Sequence, residues 1–198
     1  MIEEALKIIE QEINAFFAKK TGSTDTVVAE QLILQNGSVT NGLDSKVVMM
    51  LVNVEEDRIS KSHDIYRKQP NGTVEVARRE VRLNMYVLFV AHFPSSNAQQ
   101  SRYHDALKAL SNVIGFFQSK NFFDTKNTPA LDARVDKLLI ELFSMTLEQQ
   151  NHLWGSLGAK YMPSVMYRVR LVIIQEEELT TGGPPIQQIE LFGKASNP

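Results

Sequence analysis

Residues 81–93, with the sequence VRLNMYVLFVAHF, carry the strongest strand signal in the chain and predict a central strand of a sheet. Apolar side chains occupy every second position from Val81 to Phe93, which is the period of a β-strand. The opposite face is polar at first and then apolar, in the order Arg82, Asn84, Tyr86, Leu88, Val90. We therefore expect one covered face at the start of this strand and two toward its end. The turn signal Gln69-Pro70-Asn71-Gly72 predicts that the strand begins at Val74.

The other β-type segments lie on either side of this strand and are rich in branched aliphatic residues. They are Val27–Gln35, Lys46–Val54, Lys137–Met145 and Ser164–Gln175, and at 137–145 a helix is the alternative. The charged stretch Glu55–Lys68 is predicted to be a solvated loop or an irregular edge. Residues 124–129 are predicted to be a polar loop.

Three segments have the three- and four-residue apolar spacing of amphipathic helices. The first covers residues 1–20 and the second residues 98–119, with N-cap candidates in Pro94-Ser95-Ser96-Asn97. A short third helix is predicted at Leu147–Leu157, because Thr146 and Gln149 have the spacing of a capping box and Gly158 suits a helix end. The sequence thus predicts an α+β fold, a single domain whose mixed sheet of about five to six strands is packed by two long helices and one short helix.

The C-terminal end of the chain differs from the rest in composition. A run of three glutamates, Glu176–Glu178, is followed by the break Gly182-Gly183-Pro184-Pro185 and a short apolar set, Ile186, Ile189 and Leu191. We predict a domain over residues 1–178 and an extended C-terminal arm over residues 179–198. For the glutamate run we favour a solvated edge over a metal site, because oxygen-ligand sites need carboxylates that converge from several turns.

Composition excludes several classes of protein. The chain has 198 residues, a net charge of −2 and no cysteine, so it contains no disulfide, thiol nucleophile or cysteine-ligated metal. The near-neutral balance gives no general reason to expect nucleic acid or an anionic membrane as partner. The longest apolar run, Met85–Ala91, is far shorter than the about 18 residues of a membrane span. With no secretory signal at the N-terminus, we expect a soluble protein that is intracellular when made.

No catalytic, cofactor-binding or metal-binding residue is predicted. No two of the four histidines have a metal-ligating helical spacing, and the common phosphate, dinucleotide and nucleophile-elbow motifs are missing. The alternative is a small-molecule-binding protein or hydrolase that uses His104 or His152 in a pocket, although no carboxylate partner can be placed.

Arg168 and Arg170 lie on one face of the last predicted strand, since alternate residues share a face. A platform for single-stranded nucleic acid needs aromatic side chains on that face. Tyr167 lies on the opposite face, so we favour salt bridges or an oligomer interface over a nucleic-acid module.

Residues 151–164, NHLWGSLGAKYMPS, resemble the signature of the cap, or tail-terminator, proteins of extracellular contractile injection systems. These are the phage-tail-like particles of the antifeeding-prophage and virulence-cassette kind. Similar agreement is found at Asn84–Phe89, Tyr103–Leu110 and Val113–Gln118, and the resemblance runs in order from Met1 to about Gln175. Some relatives continue with a longer C-terminal extension, and roles that depend on it are not carried over.

The resemblance implies a structural protein, similar to the tail terminators of contractile phages. Such a protein forms a hexameric ring on the distal end of the inner tube and sheath, ends their polymerisation and ties the two together. It implies assembly in the bacterial cytoplasm and release as part of an extracellular particle, with no catalytic residue, no cofactor, no nucleic acid and no insertion into a membrane.

A ring requires two different surfaces on each protomer, because its contacts are head-to-tail. We predict that the arm contributes one of them, with Ile186, Ile189 and Leu191 added to a neighbour's sheet edge. The charged loop at 55–68 is a further candidate. The other predicted interface residues are Arg168, Arg170, Trp154 and Tyr161, and for Trp154 we favour a place in the core.

Overall fold

The computed structural model describes residues 1–57, 66–68, 74–76, 80–95, 102–132 and 134–174. These residues form three helices and eight strands. The helices are α1 (Ile2–Thr21), α2 (Tyr103–Ser119) and α3 (Leu147–Leu157). The strands are β1 (Val27–Ala29), β2 (Lys46–Glu56), β3 (Tyr66–Lys68), β4 (Val74–Val76), β5 (Glu80–His92), β6 (Phe122–Asp124), β7 (Val135–Phe143) and β8 (Ser164–Ile174).

Six strands form one mixed sheet in the order β1-β2-β5-β8-β7-β6, and β3 and β4 form a separate two-stranded ribbon. Only β1 runs parallel to its neighbour, and every other pair in the sheet is antiparallel. The two long strands β5 and β8 pair at the centre, while the edges are the three-residue strands β1 and β6. The predicted α+β class with a single domain and a mixed sheet is confirmed.

The first face of the sheet is covered by α1 and α2. The apolar stripe of each helix is buried with every second residue of the strands, so the largest core lies in this layer. Phe117 of α2 packs with Phe89 and Tyr167, whose ring centroids lie 5.6 and 4.5 Å away. α1 ends at Thr21, one residue past the predicted end, and Gly22 follows it with a φ of +78°, the left-handed conformation that glycine adopts without strain.

The second face of the sheet is only partly covered. α3 and residues 30–43 form a smaller core on it, with Trp154 of α3 and Leu32 buried against the end of β5 at Leu88 and the start of β8 at Met166. The start of β5 and the middle of β8 present polar side chains on the same face. The predicted change of β5 from one covered face to two is therefore confirmed.

Two predicted strands are shorter than expected. The predicted strand over 27–35 ends at Ala29, because the chain leaves the sheet to bury Leu32 in the second core and then turns at Gly37, where φ is +80°. The predicted single strand over 74–93 is also wrong. Val74–Val76 pairs with β3 in the two-stranded ribbon, whereas Glu80–His92 pairs with β8 in the main sheet.

Three other boundaries differ from the prediction. The predicted loop over 55–68 includes the end of β2, through Glu56, and all of β3. The second helix begins at Tyr103, not at 98, and its N-cap Arg102 makes no side-chain capping bond; Ser96 and Asn97 lie outside the described residues. Phe122–Asp124 forms the edge strand β6, which was not predicted because three residues are too few to show an alternating pattern. The strands at 137–145 and 164–175 and the third helix are confirmed within two residues.

Candidate interaction surfaces

The open part of the second sheet face carries charged and polar side chains that strand register brings together. Arg168 of β8 lies opposite Tyr86 of β5 and Glu141 of β7. Arg170, two residues further along β8, lies opposite Asn84 of β5. Paired residues of neighbouring strands point to the same face, so these side chains meet. We define the arginine cluster as Glu55, Asn84, Tyr86, Glu141, Arg168 and Arg170.

A single carboxylate binds both arginines of this cluster. Arg168 donates from its Nη2 to Oε2 of Glu141 at 2.7 Å, and Nη2 of Arg170 lies 3.1 Å from the same oxygen. The side chain of Arg168 is 32% exposed, that of Arg170 is 40% exposed and that of Glu141 is 36% exposed. The Nε atoms of both arginines and Oδ1 of Asn84 are buried and have no hydrogen-bond partner in the described part of the chain. The cluster therefore holds two buried guanidinium donors and one buried amide acceptor that have no partner within the described ranges.

Tyr86 forms the boundary between the arginine cluster and the second core. Its ring lies 5.0 Å from that of Phe143, and its hydroxyl donates to Oε2 of Glu55 at 3.1 Å. Burial, and next the hydrogen bond and negative charge of Glu55, raise the pKa of the Tyr86 hydroxyl above its usual value. Tyr86 is therefore a neutral hydrogen-bond donor at physiological pH.

Trp154 and Tyr161 are neighbours with opposite surroundings. Trp154 is 4% exposed in the second core, whereas Tyr161 is 60% exposed, and their ring centroids lie 5.7 Å apart. α3 holds Trp154 in place through the predicted capping box, in which Thr146 and Gln149 bond each other's backbone N–H groups at 3.2 and 2.9 Å. Trp154 thus anchors α3, and Tyr161 presents an aromatic ring to solvent.

A shallow groove of about 270 Å³ lies beside Tyr161, between the end of β5 and the start of α2. Its lining includes Phe93, Arg102, Tyr103 and Pro163. The guanidinium of Arg102 sits 5.3 Å from the Phe93 ring centroid, and its Nη1 donates to Oγ of Ser45. The groove is aromatic and open, which suits contact with another chain.

The histidines of the alternative prediction do not share a site. His104 lies exposed on α2 and His152 lies exposed on α3, and neither lines the groove. His92 does line it, with Nε2 at 3.4 Å from Oδ1 of Asp44. Among the described residues there is no group of three His, Asp or Glu side chains placed to hold a metal ion. No helix in the described ranges is long and apolar enough to cross a membrane.

Apolar side chains of β6, β7 and α3 are exposed to solvent. Leu142 is 56% exposed and Leu147 is 85% exposed, and Phe122 of the edge strand β6 is 38% exposed. These residues were not singled out from the sequence, since a lone exposed leucine is common on any protein surface. The predicted interface residues Ile186, Ile189 and Leu191 lie outside the described residues, as does most of the charged stretch 55–68.

Sequence reasoning found the two arginines of the cluster but missed the acidic residue that joins them. Glu141 shares the polar face of the 137–145 strand with Lys137 and Leu139, so its side of the sheet could be read from the alternation. That β7 lies next to β8 could not be read in the same way, because pairing depends on the whole sheet.

Comparison with known proteins identifies a family. A family model described as the Pvc16 N-terminal domain matches residues 4–188, which is nearly the whole chain. No curated protein matches the sequence. The family match confirms the resemblance to cap proteins of contractile injection systems that the segment around Trp154 indicated.

Two solved structures share the fold. One is the PVC sheath/tube terminator of an extracellular contractile injection system in its extended state, with a TM-score of 0.63 and 14% identity, covering 100% of this chain and 64% of that one. The other is the anti-feeding prophage cap, a tube terminating cap, with a TM-score of 0.57 and 12% identity, covering 92% of this chain and 59% of that one. The chain thus spans about three fifths of the length of each.

Proposed function

Because this chain belongs to the Pvc16 N-terminal domain family, we propose that it is a structural cap of a contractile injection system. In this role the protein forms a hexameric ring at the distal end of the particle, ends the inner tube and the sheath, and joins them. Its assembly takes place in the bacterial cytoplasm, and it leaves the cell as part of the particle. The observation that carries the proposal is the family match over residues 4–188.

The surface of the domain supports this proposal, because it offers separate contact regions. The arginine cluster lies on one sheet face, the exposed Leu142 and Leu147 lie near the start of α3, and Tyr161 lies beside the groove. A ring needs a head-to-tail contact between two different surfaces, and a joint between tube and sheath needs further ones. A protein with this many distinct patches can meet several neighbours at once.

The C-terminal arm supplies a further contact in this proposal. Ile186, Ile189 and Leu191 of one protomer add to a sheet edge of the next, where main-chain pairing gives affinity and alternate side chains give register. The two edges of the sheet, β1 and β6, are each only three residues long. Short edges limit unwanted pairing, so a specific arm can select one of them.

The proposed role is not enzymatic. The arginines and histidines singled out from the sequence need no catalytic role to account for their positions. The arginines are engaged by Glu141 in an ion pair, and His104 and His152 lie apart on different helices. The substitution His152→Ala distinguishes the two roles. A cap keeps its assembly with this exposed side chain removed, whereas a hydrolase that uses His152 loses turnover.

The proposal is tested by mass and by microscopy. The purified chain is weighed in solution by native mass spectrometry, alone and with tube and sheath proteins of a contractile injection system. We expect a ring of six copies, and particles that lack this protein should show tubes and sheaths of uncontrolled length. A chain that stays monomeric at high concentration with both partners present would contradict the proposal.

A further inference from the structure

The arginine cluster has more hydrogen-bond donors than acceptors. Two guanidinium groups carry ten N–H donors, yet among the described residues Arg168 and Arg170 each make one ion pair, both to Oε2 of Glu141, at 2.7 and 3.1 Å. Glu55 accepts from Tyr86 at 3.1 Å and from Asn53 at 3.1 Å, and among the described residues it forms no ion pair with either arginine. Two cations thus share the carboxylate of Glu141, which leaves one excess positive charge at the arginine pair, while the balancing charge of Glu55 lies across β5 and is bound by Tyr86.

The position of the two arginines determines how a partner can reach them. β8 is an inner strand with β5 on one side and β7 on the other, so its backbone is already paired. A partner must therefore lie across the sheet face and meet side chains only. The face is accessible at this place, because Arg168 and Arg170 are 32 and 40% exposed.

We propose that the arginine cluster binds the acidic run Glu176–Glu178 of a second copy of this chain. The inference rests on the ring assembly proposed above. Glu176 and Glu178 are two residues apart, as are Arg168 and Arg170. In extended backbone such residues point to one side about 7 Å apart, so two carboxylates match two guanidinium groups in spacing and charge.

The direction of β8 favours the run of a second copy over the run of the same copy. β8 continues past Arg170 to Ile174, which carries the chain about 13 Å away from the cluster. The run of a neighbouring copy has no such constraint. The contact joins the end of one chain to the middle of the next chain's sheet, so it is head-to-tail, and repeated contacts of this kind close into a ring.

Charge reversal in the acidic run tests this contact. The double substitution Glu176→Lys with Glu178→Lys should raise the dissociation constant of the assembled protein at least tenfold, measured by analytical ultracentrifugation at low salt. The control is Glu3→Lys on the exposed side of α1, which makes half of that charge change outside the arm and should leave the constant within about twofold. The effect of the double substitution should shrink in 1 M NaCl, since salt screens exposed charges.

A charge swap tests the other side of the contact. Arg170→Glu should weaken assembly as the arm variant does, and Arg170→Glu combined with Glu178→Lys should recover at least part of it. Lys108→Glu, a reversal on the exposed side of α2, is the control and should have no effect. If Arg170→Glu does not fold, as judged by circular dichroism, the arm variants still decide the question.

The outcomes separate this inference from the proposed function. If the unchanged protein forms rings and the arm reversal leaves them intact, the contact is wrong and the cap role stands. If rings persist but binding to tube or sheath protein is lost, the run binds a different partner and the inference is likewise overturned. If the unchanged protein never assembles, the cap role itself is contradicted.

Discussion

At the scale of single residues, Glu141 connects the polar side chains of the open sheet face. Both Arg168 and Arg170 lie within 3.1 Å of one of its oxygens. Because all three side chains are about one-third exposed, water screens the pair, and its contribution to stability is modest. The cluster is therefore better suited to recognition than to holding the fold together, and the two arginines that share Glu141 are what a partner would meet.

Glu141→Gln should lower the free energy of unfolding by about 1 kcal/mol, because it removes the charge that offsets two neighbouring arginines. Urea unfolding measures this loss, which should become smaller in 1 M NaCl. Asp136→Asn on the same strand is the control, since Asp136 only approaches Lys137 at 3.8 Å, and it should change stability by less than about 0.5 kcal/mol. A loss of several kcal/mol, independent of salt, would show that the cluster is structural.

Tyr167 makes the stability of the domain fall as the pH rises through the alkaline range. Its side chain is buried among Phe89 and Phe117, and burial raises the pKa of its hydroxyl from 10.0 to about 12. The neutral form therefore stabilises the fold fully below pH 10, and this stabilisation is lost as the pH rises toward 12, by at most about 1.4 kcal/mol per pH unit. Tyr167→Phe should flatten this slope in unfolding measurements between pH 10 and 12.

The control for Tyr167→Phe is Tyr161→Phe, because Tyr161 is 60% exposed. It should leave the alkaline slope unchanged. Equal slopes in the parent protein and in Tyr167→Phe would mean that another group governs the alkaline transition.

At the scale of elements, α3 is determined almost wholly by its local sequence. Thr146 and Gln149 form the capping box, and Gly158 ends the helix with φ at +66°. These signals act over a few residues and do not depend on the rest of the fold. α3 has 11 residues and is too short to be stable by itself. Its main attachment to the sheet is the side chain of Trp154, which is 4% exposed.

The two glycines of α3 should respond to alanine in opposite directions. Gly155 is helical and has open space where the Cβ of an alanine would lie, so Gly155→Ala should raise the free energy of unfolding by about 0.5–1 kcal/mol. Gly158 has equal space but a positive φ, so Gly158→Ala should lower it by about 1 kcal/mol. Thermal unfolding of the two variants measures both effects. The same sign for both would contradict the left-handed end of α3.

At the scale of the whole molecule, the fold is a sheet with one face covered by two long helices and one face covered only in part. α1 and α2 bury the first face, while α3 and residues 30–43 bury only part of the second. An isolated domain gains little from leaving charged residues in the middle of a sheet face. A subunit of an assembly can use such a face to meet its neighbour, which agrees with the proposed ring.

Deletion of residues 179–198 should separate the domain from its assembly. If the domain is complete at residue 178, the shortened chain keeps the thermal midpoint of the full monomer within a few degrees. Its ring should dissociate at concentrations where the full chain stays assembled, because the arm no longer pairs with a neighbour. Native mass spectrometry and calorimetry measure the two properties. An unchanged ring would show that the arm is not needed.

The parts of the site that could be predicted are those carried by short-range patterns. The alternation in 164–175 placed Arg168 and Arg170 together and Tyr167 on the opposite face, and the structure shows the same arrangement. The pattern could not show that Glu141 lies between the arginines. It also could not show that Val74–Val76 leaves the main sheet, since a strand signal is the same whichever strand becomes its partner.

The sequence by itself determined the helices α1 and α3, the long central strands, the α+β class and, through the segment around Trp154, the family. Each of these rests on contacts between residues a few positions apart, or on a motif read directly. Only the tertiary structure decided the order β1-β2-β5-β8-β7-β6, the parallel pairing of β1 and the shared Glu141. The reason is that strand pairing brings together residues far apart in the chain, and its free energy depends on all the strands and on the helices that cover them.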